Sequence, residues 1–182
     1  MKRAIIVPAV LSGAPLDELK QWLAITTNRE DDALTGLLRA ATETCEAFTG
    51  RMPLEAVCEE VLPAAGHWQR IAAGPVQSVT AIFGIPADGA RFAVAPDDYD
   101  ADLDADGTGL VRLLRQGAAG RIAVQFTAGV APDWASLPDG LKHGILRLAA
   151  HHFRQRDRDP VDISPPTAVA ALWNPWRRLR LA

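Results

Sequence analysis

NREDDALTGLLRAATETCEAFTGR, residues 28–51, is the clearest amphipathic helix in this chain of 182 residues. Ala33, Leu34, Leu37, Leu38, Ala41, Cys45 and Phe48 recur at the three- and four-residue steps that place side chains on one face of a helix. Asn28 is the expected N-cap, and Glu30, Asp31 and Asp32 put negative charge where the helix dipole is positive. Gly50 suits the left-handed residue that closes a helix, and Pro53 forbids its continuation. So broad an apolar face must be buried, and the rest of the chain has to supply what covers it.

Working outward, Pro15 opens a short helix over 16–25, with Leu16, Leu19, Trp22 and Leu23 on one side. Residues 26–29 are a tight connection, so the two helices are expected to pack as an antiparallel or steeply crossed pair. Upstream, 5–10 reads as a short strand or an extended arm. Helical periodicity returns at Pro138: Leu141, Ile145, Leu148, Ala149, His152 and Phe153 continue one stripe until Pro160. A last helix is expected over 167–173, kinked or ended by Pro175.

Between these helices the texture changes. Segments 54–62, 67–72, 76–85, 91–94, 110–114 and 121–128 are strand candidates, separated by Gly74-Pro75, Asp88-Gly89, Pro96-Asp97, Asp106-Gly107 and Gly117–Gly120. Ile122, Val124 and Phe126 alternate with Arg121, Ala123, Gln125 and Thr127, the period of a half-buried strand. The block reads as one small antiparallel sheet inserted into a helical framework.

Composition is that of an ordinary globular protein: 48% apolar, 23% charged, two cysteines. Cys45 lies on an apolar helix face, and two cysteines make no disulfide framework, so a reducing cytoplasmic setting is expected. The opening MKRAIIVPAVLSGAP has the outline of a signal peptide, but its apolar run is short, broken by Pro8 and followed directly by a helix pattern. No window approaches the roughly 20 apolar residues of a membrane span. The net charge of −3 conceals a split: residues 141–182 hold eight basic and three acidic side chains, residues 1–140 eleven basic and nineteen acidic. Such asymmetry suits docking on an acidic partner or on a neighbouring copy.

Residues 97–107, DDYDADLDADG, contain Asp102, Asp104, Asp106 and Gly107 at the spacing of the first half of a calcium loop. The twelfth position should be a bidentate Glu and is Leu113, and the flanks look like strands, so an acidic, solvated hairpin turn is the simpler reading. His143 and His151 are two helical turns apart, and no HExxH or CxxC joins them, His67 or His152 into a metal site. No nucleophile–base pairing, Walker loop or GxGxxG after a strand is found, so neither catalysis nor a cofactor is expected. The tail offers Trp173, Trp176, Arg177, Arg178 and Arg180, residue types enriched both at protein interfaces and on nucleic-acid-binding surfaces. In an acidic chain a patch this short reads as a protein interface.

The order of segments goes further. LDELKQWLAI, then LLRAATETCEAFTGR, GPVQSVTAI, DDYDAD, RIAVQFTAGVA, LPDGLKHGILRLAAHHFRQRD and PPTAVAALWNPWRRLRL together resemble the phage head–tail connector (adaptor) family of tailed phages, prophages and gene transfer agents. The resemblance implies a non-enzymatic protein of the virion neck, assembled in the bacterial host cytoplasm. Members form a ring, commonly of twelve subunits, beneath the portal protein, with downstream neck or tail proteins below. DNA passes through the ring without specific binding, so a lumen of acidic or neutral character is expected, and no membrane is involved. The same resemblance makes Trp173–Arg180 a candidate contact with the portal or with adjacent subunits.

The expected fold is therefore α+β: a single connector domain with a bundle of three to four helices, drawn from residues 14–52 and 138–182, and a β-rich subdomain at 53–137. The expected function is a structural connector joining capsid to tail. The alternative is a small Ca²⁺-binding or regulatory module that uses the Asp-rich loop 97–107.

Overall fold

The computed structural model describes residues 3–155 and 164–178. The chain is α+β, with four α-helices and two antiparallel sheets among the described residues. The described residues divide into two compact units, one drawn from Met1–Pro8 with Glu55–Val130 and the other from Ala9–Leu54 with Ala131–Ala182.

The second unit is helical. Helix α1 (Ala14–Leu23) has Pro15 in its first turn and buries Leu16 and Leu19. Helix α2 (Asp31–Thr49) buries Leu34, Leu38, Ala41, Cys45 and Thr49, a stripe narrower than the sequence suggests. Ala33 is exposed, and Leu37 and Phe48 are half-buried. Gly50 ends α2 in the left-handed region at φ 71°, with its N–H donating to the Glu46 carbonyl. Asn28 does not cap α2, which begins beyond it with no side-chain cap. Its Oδ1 instead accepts from Lys20 Nζ at 2.7 Å, and the same ammonium donates to Asp31 Oδ1 at 2.8 Å. The polar residues of the α1–α2 turn thus tie the two helices together.

Helix α3 (Asp139–Gln155) packs on α1 and α2 through Leu141, Ile145, Leu148 and Ala149. Helix α4 (Thr167–Trp173) contributes Val169 and Trp173, and a 3-10 turn, Asn174–Trp176, follows where Pro175 ends α-helical geometry. Each of these large apolar side chains contributes roughly 1.5–3 kcal/mol by leaving water. Trp134 and Leu137, just ahead of α3, are buried in this unit as well. The helical unit therefore resumes at Ala131, seven residues before the Pro138 start read from the sequence.

The first unit holds β1 (Arg3–Val7), β2 (Ala56–Pro63), β3 (Gln69–Arg70), β4 (Val76–Ile85), β5 (Phe92–Ala93), β6 (Tyr99–Leu103), β7 (Gly109–Leu113) and β8 (Arg121–Ala128). Two sheets form where one was expected: a five-stranded sheet in the order β1-β2-β8-β4-β5 and a three-stranded sheet β3-β7-β6. Strand β8 is the centre of the larger sheet, pairing Cys58 with Phe126 on one side and Ile82 with Val124 on the other. Ala123 is fully buried along with Ile122 and Val124, so β8 is covered on both faces at its start rather than on one. In β4, Gly84 lies beneath the Phe92 ring, where a Cβ would collide with the aromatic carbons. Glu60, buried in β2, is satisfied by the backbone N–H of Ala72, 3.0 Å from Oε2.

Candidate functional site

The tail that the sequence singles out is folded back on the helical unit. Trp173 is completely buried: its indole N–H reaches toward the Leu141 carbonyl at 3.4 Å, and its ring lies 5.9 Å from that of Phe48. A residue type that reads from the sequence as an interface anchor is thus part of the interior in the isolated chain, because α4 places it against α3. Trp176 is half-buried, with its indole nitrogen beside Gly140.

Arg177 is exposed and sets its guanidinium over Phe48, 5.0 Å from the ring centroid. The backbone N–H of Arg178 donates to the Thr49 carbonyl at 2.8 Å, satisfying one of the carbonyls that the end of α2 leaves open. Two arginines at a helix C-terminus also complement its dipole. Arg180 lies outside the described residues. Of the five tail residues, Arg177 and Arg178 therefore lie at the end of α2, and Trp176 lies beside Gly140 at the start of α3.

The Asp-rich segment is built as a hairpin. Asp97 and Asp98 sit in a 3-10 turn, Tyr99–Leu103 is a strand, and Asp104–Thr108 is the reversal. Asp100 takes two hydrogen bonds from Arg112 across the β6–β7 pair, at 2.9 and 2.7 Å, and Asp98 pairs with Arg115 at 3.2 Å. Asp106 accepts from the Thr108 N–H and hydroxyl. Asp102 and Asp104 accept from the next backbone N–H, of Leu103 and Ala105. The carboxylates that a calcium loop would converge on one point are spread along the hairpin and engaged locally. Among the described residues no group of three or more His, Cys, Asp or Glu side chains could hold a metal ion.

The histidines are also separate. His143 meets Trp22 edge to face at 5.2 Å, His151 and His152 lie 6.1 Å apart, and His67 is exposed in the β-rich unit. Burial holds His152 below its usual pKa, and the neighbouring His151 adds to the effect. The Cys45 thiol is pushed far above its usual range by burial and by Glu46, which keeps it protonated and inert. Among the described residues no helix is long and apolar enough to cross a membrane.

Residues 14–73, which run from α1 into the β-rich unit, match the family described as phage gp6-like head–tail connector proteins. No curated protein matches the chain. Three solved structures contain chains similar to it over its full length, each covered to 98%. One is the neck of an empty gene transfer agent particle computed with C6 symmetry, 28% identical with a TM-score of 0.80. The others are the virion of a native gene transfer agent particle, at 27% and 0.78, and the neck of a native particle computed with C12 symmetry, at 27% and 0.77. The resemblance carried by the order of segments is thereby shown, and the fold matches that of these neck chains. Both comparisons support a structural protein of the virion neck.

Proposed function

We propose that this chain is a head–tail connector: a non-enzymatic ring subunit that sits under the portal, extends the DNA channel and joins the capsid to the tail. The observation that carries this reading is likeness along the whole chain, in sequence and in fold together, to a chain of a gene transfer agent neck. A match confined to one unit would leave the other free to do something else; here both units are accounted for.

The chemistry agrees. A ring subunit needs rigid packing, two unlike lateral faces and no reacting groups. Heterologous faces close into a ring when the rotation between neighbours permits. The acidic excess of residues 1–140 and the basic excess of 141–182 supply complementary charge for such faces. Trp176, Arg177 and Arg178 are the part of the tail available to a portal or a neighbouring subunit, with Arg180 as its continuation in sequence. DNA has to slide through the channel, so the lumen is acidic or neutral and makes few ordered phosphate contacts.

Mixing the protein with its cognate portal and imaging the product by electron microscopy tests this. The expected result is an added ring coaxial with the portal. Failure to bind any portal or neck component, or an assembled ring whose lumen is lined by arginines that retain DNA, would overturn it.

A further inference from the structure

A groove of about 210 Å³ opens on the helical unit, lined by Trp22 from the end of α1, by Arg147, His151 and Arg154 from α3, and by Pro166 and Ala168 at α4. Positions 147, 151 and 154 follow the three- and four-residue steps of one helix face. Arg147 and Arg154 are exposed, and among the described residues neither has an ion-pair partner. Trp22 leaves 41% of its surface to solvent. Two guanidinium groups without a carboxylate partner among the described residues are a receptor for an acidic segment.

The same chain carries such a segment. At the tip of the β6–β7 hairpin, Asp102 and Asp104 are exposed, and among the described residues their carboxylates take hydrogen bonds only from the following backbone N–H groups, whereas Asp98, Asp100 and Asp106 are matched to Arg115, Arg112 and Arg70. Leu103, between them, is 43% exposed and faces the opposite side of the extended chain. Two residues on in extended chain is roughly 7 Å, and Arg147 and Arg154 are separated by roughly 10 Å along the helix axis. Flexible arginine side chains span that difference.

We infer that the groove of one copy receives the Asp102–Asp104 hairpin tip of a neighbouring copy, with Arg147 and Arg154 pairing the two carboxylates, which extended chain puts on one side. The contact is heterologous, because donor and receptor are different surfaces, and repetition of one such contact closes a ring. It rests on the ring-subunit reading above and specifies one of the lateral contacts that reading requires.

Full-length chains carrying Leu103→Cys and, separately, Ala168→Cys are mixed on the cognate portal and treated with a short bis-maleimide. The native Cys45 and Cys58 are buried and do not compete. Circular dichroism confirms that each variant is folded. The expected product is a cross-linked pair containing one chain of each kind. Adding Arg147→Glu and Arg154→Glu to the groove partner lowers its yield by about tenfold or more, the factor for losing a close charge pair across an interface. Adding Asp102→Lys and Asp104→Lys to the hairpin partner then restores it. Rings that assemble on the portal without this cross-link would overturn the contact and leave the connector reading standing. Overturning the contact also are a yield indifferent to charge reversal, a cross-link within one chain of a doubly substituted protein, and capture of the portal at position 168. Absence of any portal binding overturns both readings.

Discussion

The indole of Trp173 occupies the place a side chain on Gly144 would take: a Cβ there would collide with Nε1 and its two neighbouring carbons. Glycine in mid-helix costs about 1 kcal/mol relative to alanine, so α3 accepts a weaker helix in order to let α4 approach. Gly144→Ala is expected to lower stability by about 1–3 kcal/mol through overpacking, despite its better helix propensity. Urea denaturation of the two proteins checks this, and an unchanged or raised midpoint would contradict the close approach.

Gly36 is the matching control. It lies on the exposed side of α2, and a Cβ at that position meets nothing within 4 Å. Gly36→Ala is expected to raise stability by about 0.5–1 kcal/mol through propensity alone. Opposite signs for the same substitution at two helical positions would show that packing against Trp173, and not the helix, sets the sign at 144.

Lys20 joins α1 to α2 by donating to both Asn28 and Asp31. Its side chain is 12% exposed, so its loss leaves a half-buried carboxylate without its cation. Lys20→Met preserves the apolar stem and removes the charge, and is expected to cost about 1–3 kcal/mol. In a double-mutant cycle with Asp31→Asn the two effects should fail to add; additivity would show that the ion pair contributes nothing.

Most of the helical unit was legible in the residues, because each helix there carries an apolar stripe, Pro15 opens α1, Gly50 ends α2 and Pro175 ends α4, whereas the Pro160 stop read for α3 lies outside the described residues. The 167–173 helix lies where the periodicity places it, and strands β4 and β8 match the expected 76–85 and 121–128. What was not legible depended on partners distant in sequence. Strand β6, YDADL, has the composition of a turn, since aspartate is poor in strands; Arg112 across the pair makes Asp100 acceptable there. Asn28 looks like a cap until Lys20, eight residues earlier, claims its side chain. Trp173 has the chemistry of an interface anchor, and nothing local reveals that Gly144 leaves room for it inside. The groove was missed for the same reason: Trp22 and Arg147 meet only through the packing of α1 on α3.

Glu60 is a buried acid in the middle of a strand, and its Oε2 takes the Ala72 N–H. Glu60→Ala is expected to destabilise by about 1–3 kcal/mol, because it orphans a backbone donor. Glu60→Gln keeps an acceptor in place and should recover most of that loss. Equal destabilisation by the two substitutions would show that the negative charge, and not the hydrogen bond, is what the site requires.

Acid sensitivity should begin at His152. Its folded-state pKa lies below the ordinary 6.5, first through burial and then through the charge of His151. Above that ordinary value both folded and unfolded chains hold the imidazole neutral, and the group contributes no pH dependence. As pH falls through it, the unfolded chain takes up the proton first, so stability drops, and the loss levels off once the folded form is protonated too. Glu59 follows at lower pH: hydrogen bonding from Arg91, assisted by Gln125, holds its carboxyl below 4.5, so its contribution is present above that value and is lost as the folded group is protonated. Urea midpoints at pH 7.5, 6.5, 5.5, 4.5 and 3.5 should therefore decline in the lower part of the series. His152→Gln should flatten the decline between 6.5 and 5.5 and leave the lower limb in place. An unaltered upper limb in that variant would assign the first loss to another group.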